Sequence, residues 1–357
     1  MKVRDWQALG SVTLVGSMPH RDRHKAVDLI LTEISEIPVW PQLAGNKAEQ
    51  MLVQYLEGLP GIRVSNGNVR VETDGPNFEQ ELYDFYEEYL AIESGSLNIE
   101  SSRFRMGPET GKTFFQFLET IDRAPSSYRA LKGQIVGPFT LLTGLKDHQD
   151  RAFLYDERFQ DVVPKHLAMK AKWQIERMKS LGYPVILFLD EPALAGFGSS
   201  AFIGVSRELI QQLLAEVIDA VHTADALVGI HVCANTDWLL AFDSGVDIIN
   251  LDAYNYFEKF LLYQDSFSQF TREGRIVAWG MVPTTDPQTI DKETAQSLAD
   301  RWLENIDQAI SAELSKKKIL SQSLFTPSCG CGSLPEEAAE KVVRLTRELG
   351  LIMRAHL

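Results

Sequence analysis

A histidine and a cysteine lie two residues apart, at His231 and Cys233, at the end of a short apolar run. Because side chains at positions i and i+2 of a strand point to the same side, this imidazole and this thiol can reach one metal ion. The other two cysteines, Cys329 and Cys331, follow a later apolar run. Imidazole and thiolate are ligands that zinc prefers, so the two segments together predict a zinc site. Three reduced thiols packed in the core are the alternative interpretation.

Two adjacent carboxylates, Asp190 and Glu191, follow the apolar run 185–189 and precede Pro192. A carboxylate binds an ammonium group strongly in a cleft where little water competes. We therefore predict that these two residues act on an amine-bearing substrate. A helix cap or an ion pair is the alternative.

Turn-forming residues follow the first apolar run, at Val15, Gly16 and Ser17. Glycine permits close approach of the backbone, and exposed N–H groups at such a turn can hold a carboxylate. A similar turn begins at Gly137, after the third run. Asp252 ends the sixth run, where its carboxylate would be an oxygen ligand on the metal's side.

The elements that must position these residues alternate between short apolar runs and longer amphipathic stretches. Runs that are apolar on both faces are typical of parallel strands covered by helices. Eight such alternations predict an α/β protein with a (β/α)8 TIM barrel, in which the loops after the strands build the active site. The eight runs are 12–15, 37–40, 134–136, 185–189, 227–232, 247–251, 276–281 and 324–326.

One long segment, about 44–132, separates the second and third predicted strands. Asn66-Gly67 between β-prone runs predicts a hairpin within it, and 77–92 reads as an acidic helix. We predict a single barrel domain, 1–357, in which this segment is an insertion over one end of the barrel. It is either a lid or a decoration of the barrel.

Composition excludes several classes of function. The 357 residues carry a formal charge of −14, which argues against binding to nucleic acid or to an anionic membrane. No apolar run reaches the ~18 residues of a membrane-spanning helix, and the first residues do not read as a signal peptide. Three cysteines are too few for a disulfide scaffold, so a cytoplasmic protein is expected.

The order of these motifs resembles the catalytic half of cobalamin-independent methionine synthase. That half belongs to a barrel superfamily shared with uroporphyrinogen decarboxylase and the corrinoid-dependent methyltransferases. The resemblance runs from about residue 11 to 345. It rests on Gly16-Ser17-Met-Pro, Gly137-Pro-Phe-Thr, Asp190-Glu-Pro-Ala-Leu, His231-x-Cys233 and Pro327-Ser-Cys329-Gly.

The resemblance implies zinc held by His231, Cys233 and Cys329, with Asp252 at the position of the family's glutamate ligand. It also implies that residues 15–17 and Asp190, with Glu191 beside it, surround the amino-acid part of homocysteine. The expected activity is zinc-dependent methyl transfer to homocysteine or a similar small thiol, in methionine biosynthesis. The donor would be methyltetrahydrofolate or methylcobalamin, the latter on a corrinoid carrier protein.

Two other functions compete with this one. A uroporphyrinogen decarboxylase-like enzyme would use arginines after the first strand, where Arg21 and Arg23 lie, but has no need of the thiols. A non-catalytic zinc- or thiol-binding protein would have no need of Asp190 and Glu191.

Overall fold

Six parallel strands form the central sheet of the computed structural model, which describes residues 6–65, 68–310 and 314–357. In the order in which they pair, these strands are β10 (Ser323–Pro327), β9 (Ile276–Val282), β8 (Ile248–Leu251), β7 (Leu227–Val232), β6 (Val185–Asp190) and β5 (Leu131–Val136), numbered along the chain. Every residue in them is buried. The ten strands of the described residues are β1 (Ser17–Met18), β2 (Gln42–Leu43), β3 (Ile62–Ser65), β4 (Asn68–Val71), β5 (Leu131–Val136), β6 (Val185–Asp190), β7 (Leu227–Val232), β8 (Ile248–Leu251), β9 (Ile276–Val282) and β10 (Ser323–Pro327).

The first two predicted strands are present only as short pairings at the edges of this sheet. Val12 forms an isolated parallel bridge with Phe325 in β10, and Val39 forms one with Lys132 in β5. Between these bridges, β1 pairs with β2 in parallel. The prediction of eight regular strands is therefore corrected to six. Proline explains part of the difference, because Pro38 and Pro41 cannot donate to a strand ladder.

Thirteen α-helices occur in the described residues, and most follow a strand. They are α1 (Arg23–Glu33), α2 (Phe78–Glu93), α3 (Lys112–Arg123), α4 (Pro138–Gly144), α5 (Glu157–Lys179), α6 (Arg207–Thr223), α7 (Leu239–Phe242), α8 (Ala253–Leu261), α9 (Gln264–Arg272), α10 (Pro287–Lys292), α11 (Ala295–Asp307), α12 (Lys316–Ser321) and α13 (Glu336–Arg354). Side-chain caps begin many of them, including Asp156 at α5, Ser206 at α6 and Thr294 at α11. This alternation places the ends of successive parallel strands on one face of the sheet.

The segment 44–132 contains the predicted hairpin and helix. Strands β3 and β4 pair antiparallel, with Ser65 opposite Asn68, which confirms the hairpin, although its turn at 66–67 lies outside the described residues. Helix α5 holds this segment through hydrogen bonds to main-chain oxygens. His166 Nε2 lies 2.7 Å from the Tyr55 oxygen, and Lys170 Nζ donates to the Arg105 oxygen at 3.2 Å.

Among the described residues, no helix is both long enough and apolar enough to cross a lipid bilayer.

Candidate metal and substrate site

A cavity of about 490 Å³ opens at the carboxyl ends of the strands. Six of the candidate residues from the sequence lie in its wall, namely Val15, Ser17, Asp190, His231, Cys233 and Cys329. Arg21 and Arg23 do not, and the lining residues include neither lysine nor arginine. The wall consists of Val15, Ser17, Gln42, Ala44, Gln50, Met51, Asp190, Pro192, His231, Cys233, Cys329, Gly330, Gly332 and Ser333.

Three potential metal ligands converge in this wall. One ligand atom from each of His231, Cys233 and Cys329 lies within 4.8 Å of the other two. His231 is in β7, Cys233 follows it, and Cys329 follows β10, so two distant segments of the chain supply the group. One nitrogen and two sulfur ligands suit zinc, and three protein ligands leave a fourth position for a substrate.

The His231 ring is fixed in the orientation that a metal needs. Its Nδ1 lies 2.6 Å from Oδ1 of Asn250 in the adjacent strand β8. The Asn250 amide donates to the Ala278 oxygen and to Thr326 Oγ1, both at 2.8 Å, which leaves Oδ1 as the acceptor. Nδ1 therefore carries the proton, and the lone pair of Nε2 faces the cysteines. Nε2 is buried and has no hydrogen-bond partner among the described residues.

The electrostatics of the group favour a thiolate. A hydrogen bond from Cys329 and the neighbouring His231 lower the pKa of Cys233. The same contact with Cys233, together with burial, raises the pKa of Cys329. Burial lowers the pKa of His231, but its contact with Cys233 and the charge of Asp190 outweigh this and leave the pKa raised. Cys233 is therefore the thiol of the pair that ionises more readily.

Asp252 is not among the three converging residues, and its role as a fourth ligand stays a prediction. It is the N-cap of α8, where Oδ1 accepts from the Asn255 backbone at 2.9 Å and Oδ2 accepts from Asn255 Nδ2 at 2.7 Å. Both oxygens are engaged by Asn255 rather than by the cavity.

Cys331 lies beside the group without belonging to it. Its side chain is buried, and its backbone N–H donates to the Ser17 oxygen at 2.8 Å. The glycines on either side allow this docking: a Cβ on Gly330 would lie 1.9 Å from Ser17 Oγ. Cys329, and not Cys331, is the cysteine that the structure places with His231 and Cys233.

Asp190 lies at the end of β6 beside His231, and its carboxylate faces the cavity. The residue is 7% exposed, and its Oδ1 has no hydrogen-bond partner among the described residues. Burial raises the pKa of Asp190 to about 6, although His231 and Lys132 oppose the shift. An unpaired buried carboxylate in a cavity wall is suited to bind a cationic group.

Glu191 turns its carboxylate toward the start of α4, and its catalytic role stays a prediction. Its carboxylate accepts hydrogen bonds from Phe139 N, Thr140 N and Thr140 Oγ1 at 3.0, 2.8 and 2.6 Å. It therefore caps the first turn of α4. A Cβ on Gly137 would lie 2.2 Å from this carboxyl group, which explains the glycine in the Gly137 turn. Burial raises the pKa of Glu191 to about 7, against the opposing hydrogen bonds.

The turn at 15–17 lines the same cavity as Asp190. Val15 and Ser17 line the cavity, while Gly16 adopts a φ of 144°. A Cβ on Gly16 would lie 2.7 Å from Gln134 Oε1, so only glycine fits there. Asn250 and Gln134 are the supporting residues that sequence reasoning did not assign. Their polar type inside apolar strands was the available signal.

Solved structures with the same architecture include a methyltransferase from Methanosarcina mazei. It superposes with a TM-score of 0.56 at 14% identity, over 97% of this chain and 97% of that chain. A Listeria monocytogenes protein, named provisionally as a vitamin-B12 independent methionine synthase, gives a TM-score of 0.49 at 14% identity, over 92% of this chain and 85% of that chain. No protein-family profile and no curated protein sequence matches the chain. At such identity, the likeness to the M. mazei protein shows a shared fold.

Proposed function

We propose that the protein is a zinc-dependent methyltransferase that transfers a methyl group to the thiol of homocysteine or a similar small aminothiol. The observation that carries the proposal is the convergence of His231, Cys233 and Cys329 in the wall that also holds the unpaired Asp190 carboxylate. A purely structural zinc site would have no use for an amine-binding group beside it. The fold shared with the M. mazei methyltransferase agrees with this proposal.

His231, Cys233 and Cys329 would hold the zinc ion. Bound zinc stabilises a substrate thiol as the thiolate, which is the nucleophilic form. Asn250 keeps the His231 proton on Nδ1. Asp190 would bind the substrate ammonium group, and the main chain at 15–17 would face the substrate carboxylate.

The proposal extends to the fold and the donor. The chain would form one (β/α)8 barrel domain in which the first two strands are shortened and the segment 44–132 is an insertion. The methyl donor would be methyltetrahydrofolate or methylcobalamin, the latter carried by a corrinoid protein.

Reconstitution with zinc followed by a methyl-transfer assay tests the proposal. The zinc-loaded protein is incubated with homocysteine and one methyl donor, methyltetrahydrofolate in one reaction and methylcobalamin in a parallel one. Methionine is measured by mass spectrometry. We expect methionine with at least one donor and none from metal-free protein. Zinc binding below about one ion per chain, or no methylated thiol from either donor, would contradict the proposal.

A further inference from the structure

A lysine is buried inside the sheet, directly behind the cavity wall. Lys132 of β5 is 0% exposed. Its Nζ donates to the Val15 oxygen at 2.7 Å and lies 4.3 Å from the centroid of the Phe188 ring. It makes no ion pair in the described part of the chain. Its ammonium group thus contacts one carbonyl and one ring, while the buried Asp190 carboxylate acts on its charge electrostatically.

Burying an ammonium group in an apolar sheet is costly, because the group loses its hydration. A methionine would fill a similar volume without that cost. Burial lowers the pKa of Lys132 to about 7, while the charge of Asp190 opposes the shift. A nearby anion favours the charged form of such a lysine. Asp190 is one such anion, and a substrate carboxylate held at the turn 15–17 would be a second.

Val15, whose oxygen accepts this hydrogen bond, is the first residue of the turn at 15–17. Val15 and Ser17 of this turn line the cavity. Gln134, two residues after Lys132 in β5, packs under Gly16. Residues 132 and 134 of one strand therefore support this turn from behind. The cavity wall itself contains no lysine or arginine, so Lys132 is the buried cation directly behind the turn.

We propose that Lys132 determines specificity for the carboxylate of the substrate. It acts as a positioning residue: its ammonium group holds the Val15 carbonyl, fixes the turn at 15–17, and supplies the positive charge that the cavity wall lacks. This inference rests on the proposed function and deepens it. Asp190 and Lys132 would divide recognition between the two ends of an amino acid, so the acceptor is an α-amino-acid thiol rather than a simple aminothiol.

Three thiols separate the two contributions. Homocysteine carries both charged groups, 3-aminopropane-1-thiol lacks the carboxylate, and 4-mercaptobutanoate lacks the ammonium group. Binding of each to zinc-loaded protein is measured by isothermal titration calorimetry for wild type, Lys132→Met, Lys132→Gln and Asp190→Asn. Lys170→Met is the matched control, because Lys170 is also buried and also donates to a single carbonyl, and neither Lys170 nor its partner Arg105 lines the cavity.

In Lys132→Met and Lys132→Gln we expect the affinity for homocysteine and 4-mercaptobutanoate to fall about tenfold or more, as for loss of a charge-assisted contact. Affinity for 3-aminopropane-1-thiol should change far less, because only the ionisation of Asp190 is affected, and zinc content should not change. Asp190→Asn should show the complementary pattern, losing affinity for the two amines only. Lys170→Met should leave all three affinities unchanged.

Equal losses for all three thiols in both Lys132 variants, or loss of zinc from both, would make Lys132 a purely structural residue and overturn the inference. Unchanged binding of homocysteine in both variants would also overturn it, while the proposed function would stand if wild type and Asp190→Asn behave as expected. A wild type that binds none of the three thiols would instead contradict the proposed function.

Discussion

The imidazole of His231 and the amide of Asn250 lie on adjacent strands, and their Nδ1 and Oδ1 atoms are 2.6 Å apart. Asn250 in turn donates to the Ala278 oxygen and to Thr326 Oγ1. Three neighbouring strands therefore determine which nitrogen of His231 carries a proton. The packing of the sheet thus assigns Nδ1 to Asn250 and leaves Nε2 as the nitrogen available to a metal ion.

Asn250→Leu should weaken zinc binding although Asn250 is not a ligand. Without its acceptor, the His231 ring loses both its tautomer and its orientation, and such supporting contacts are typically worth 10–100-fold in metal affinity. Competition with a chromophoric chelator measures the effect. Thr326→Val, which removes one of the two groups that orient Asn250, should give a smaller loss. Unchanged zinc affinity in Asn250→Leu would show that the ring is held by other contacts.

Replacing Cys329 and replacing Cys331 should have very different effects on zinc binding. Cys329→Ser, like His231→Ala and Cys233→Ala, should abolish stoichiometric zinc binding, because each removes one of three ligands. Cys331→Ser should keep most of the zinc affinity and the methyl transfer, since its sulfur lies outside the group. Elemental analysis and chelator titration of the folded variants compare them. The opposite ranking would move the ligand to Cys331.

Asp252→Asn should leave zinc affinity nearly unchanged. The asparagine retains an oxygen to cap α8, so the free energy of unfolding should change by less than about 1 kcal/mol. Chelator titration and denaturant unfolding measure the two quantities separately. A loss of zinc affinity as large as that of Cys233→Ala would instead show that Asp252 is a metal ligand.

Asp190→Asn should weaken homocysteine binding by about one to two decades, because a charged hydrogen bond in a buried site contributes about 1.5–3 kcal/mol. Zinc affinity should be preserved, since Asp190 is not among the three converging ligands. Calorimetric titration of the zinc-loaded variant with homocysteine measures the loss. Wild-type affinity for homocysteine in this variant would remove Asp190 from the substrate site.

Glu191 should make stability depend on pH. Its pKa is about 7 in the folded protein and near 4.5 in an unfolded chain, so between these values the folded state binds more protons. The free energy of unfolding contributed by Glu191 should therefore fall as pH rises from about 4.5 to 7, by up to about 1.4 kcal/mol per pH unit.

Glu191→Gln should lack this component, because the amide does not titrate. Denaturant unfolding at several pH values gives the difference between wild type and variant, in which other titrating groups cancel. A difference that stays constant across this pH range would show that Glu191 is already ionised throughout it.

The convergence of the metal group could be predicted from the sequence. A strand period of two aligns His231 with Cys233, and the carboxyl ends of parallel strands share one face, which brings Cys329 to them. The shortening of the second strand could also be predicted from the sequence, since Pro38 lies within the run 37–40 and Pro41 follows it.

The sequence predicts less well which groups the carboxylates of Asp252 and Glu191 contact. Asp252 immediately precedes a helix, and aspartate is a preferred N-cap, so a local signal existed. Glu191 caps α4, whose start lies some fifty residues earlier in the chain, and no local pattern reveals that contact. The burial of Lys132 could not be predicted from the sequence, because a lysine ordinarily marks the end of a buried strand rather than its interior.

The pairing of Val12 with Phe325 sets an order of events during synthesis. His231 and Cys233 leave the ribosome well before Cys329, and β10 must form before the segment around Val12 has its partner. A nascent chain would therefore expose two strong ligands while the third is still missing. Contacts between such distant segments are slow to form, because the intervening chain must first be closed into a loop. If these residues bind a metal ion as proposed, the complete ligand set forms late, only after the last strand has joined the sheet.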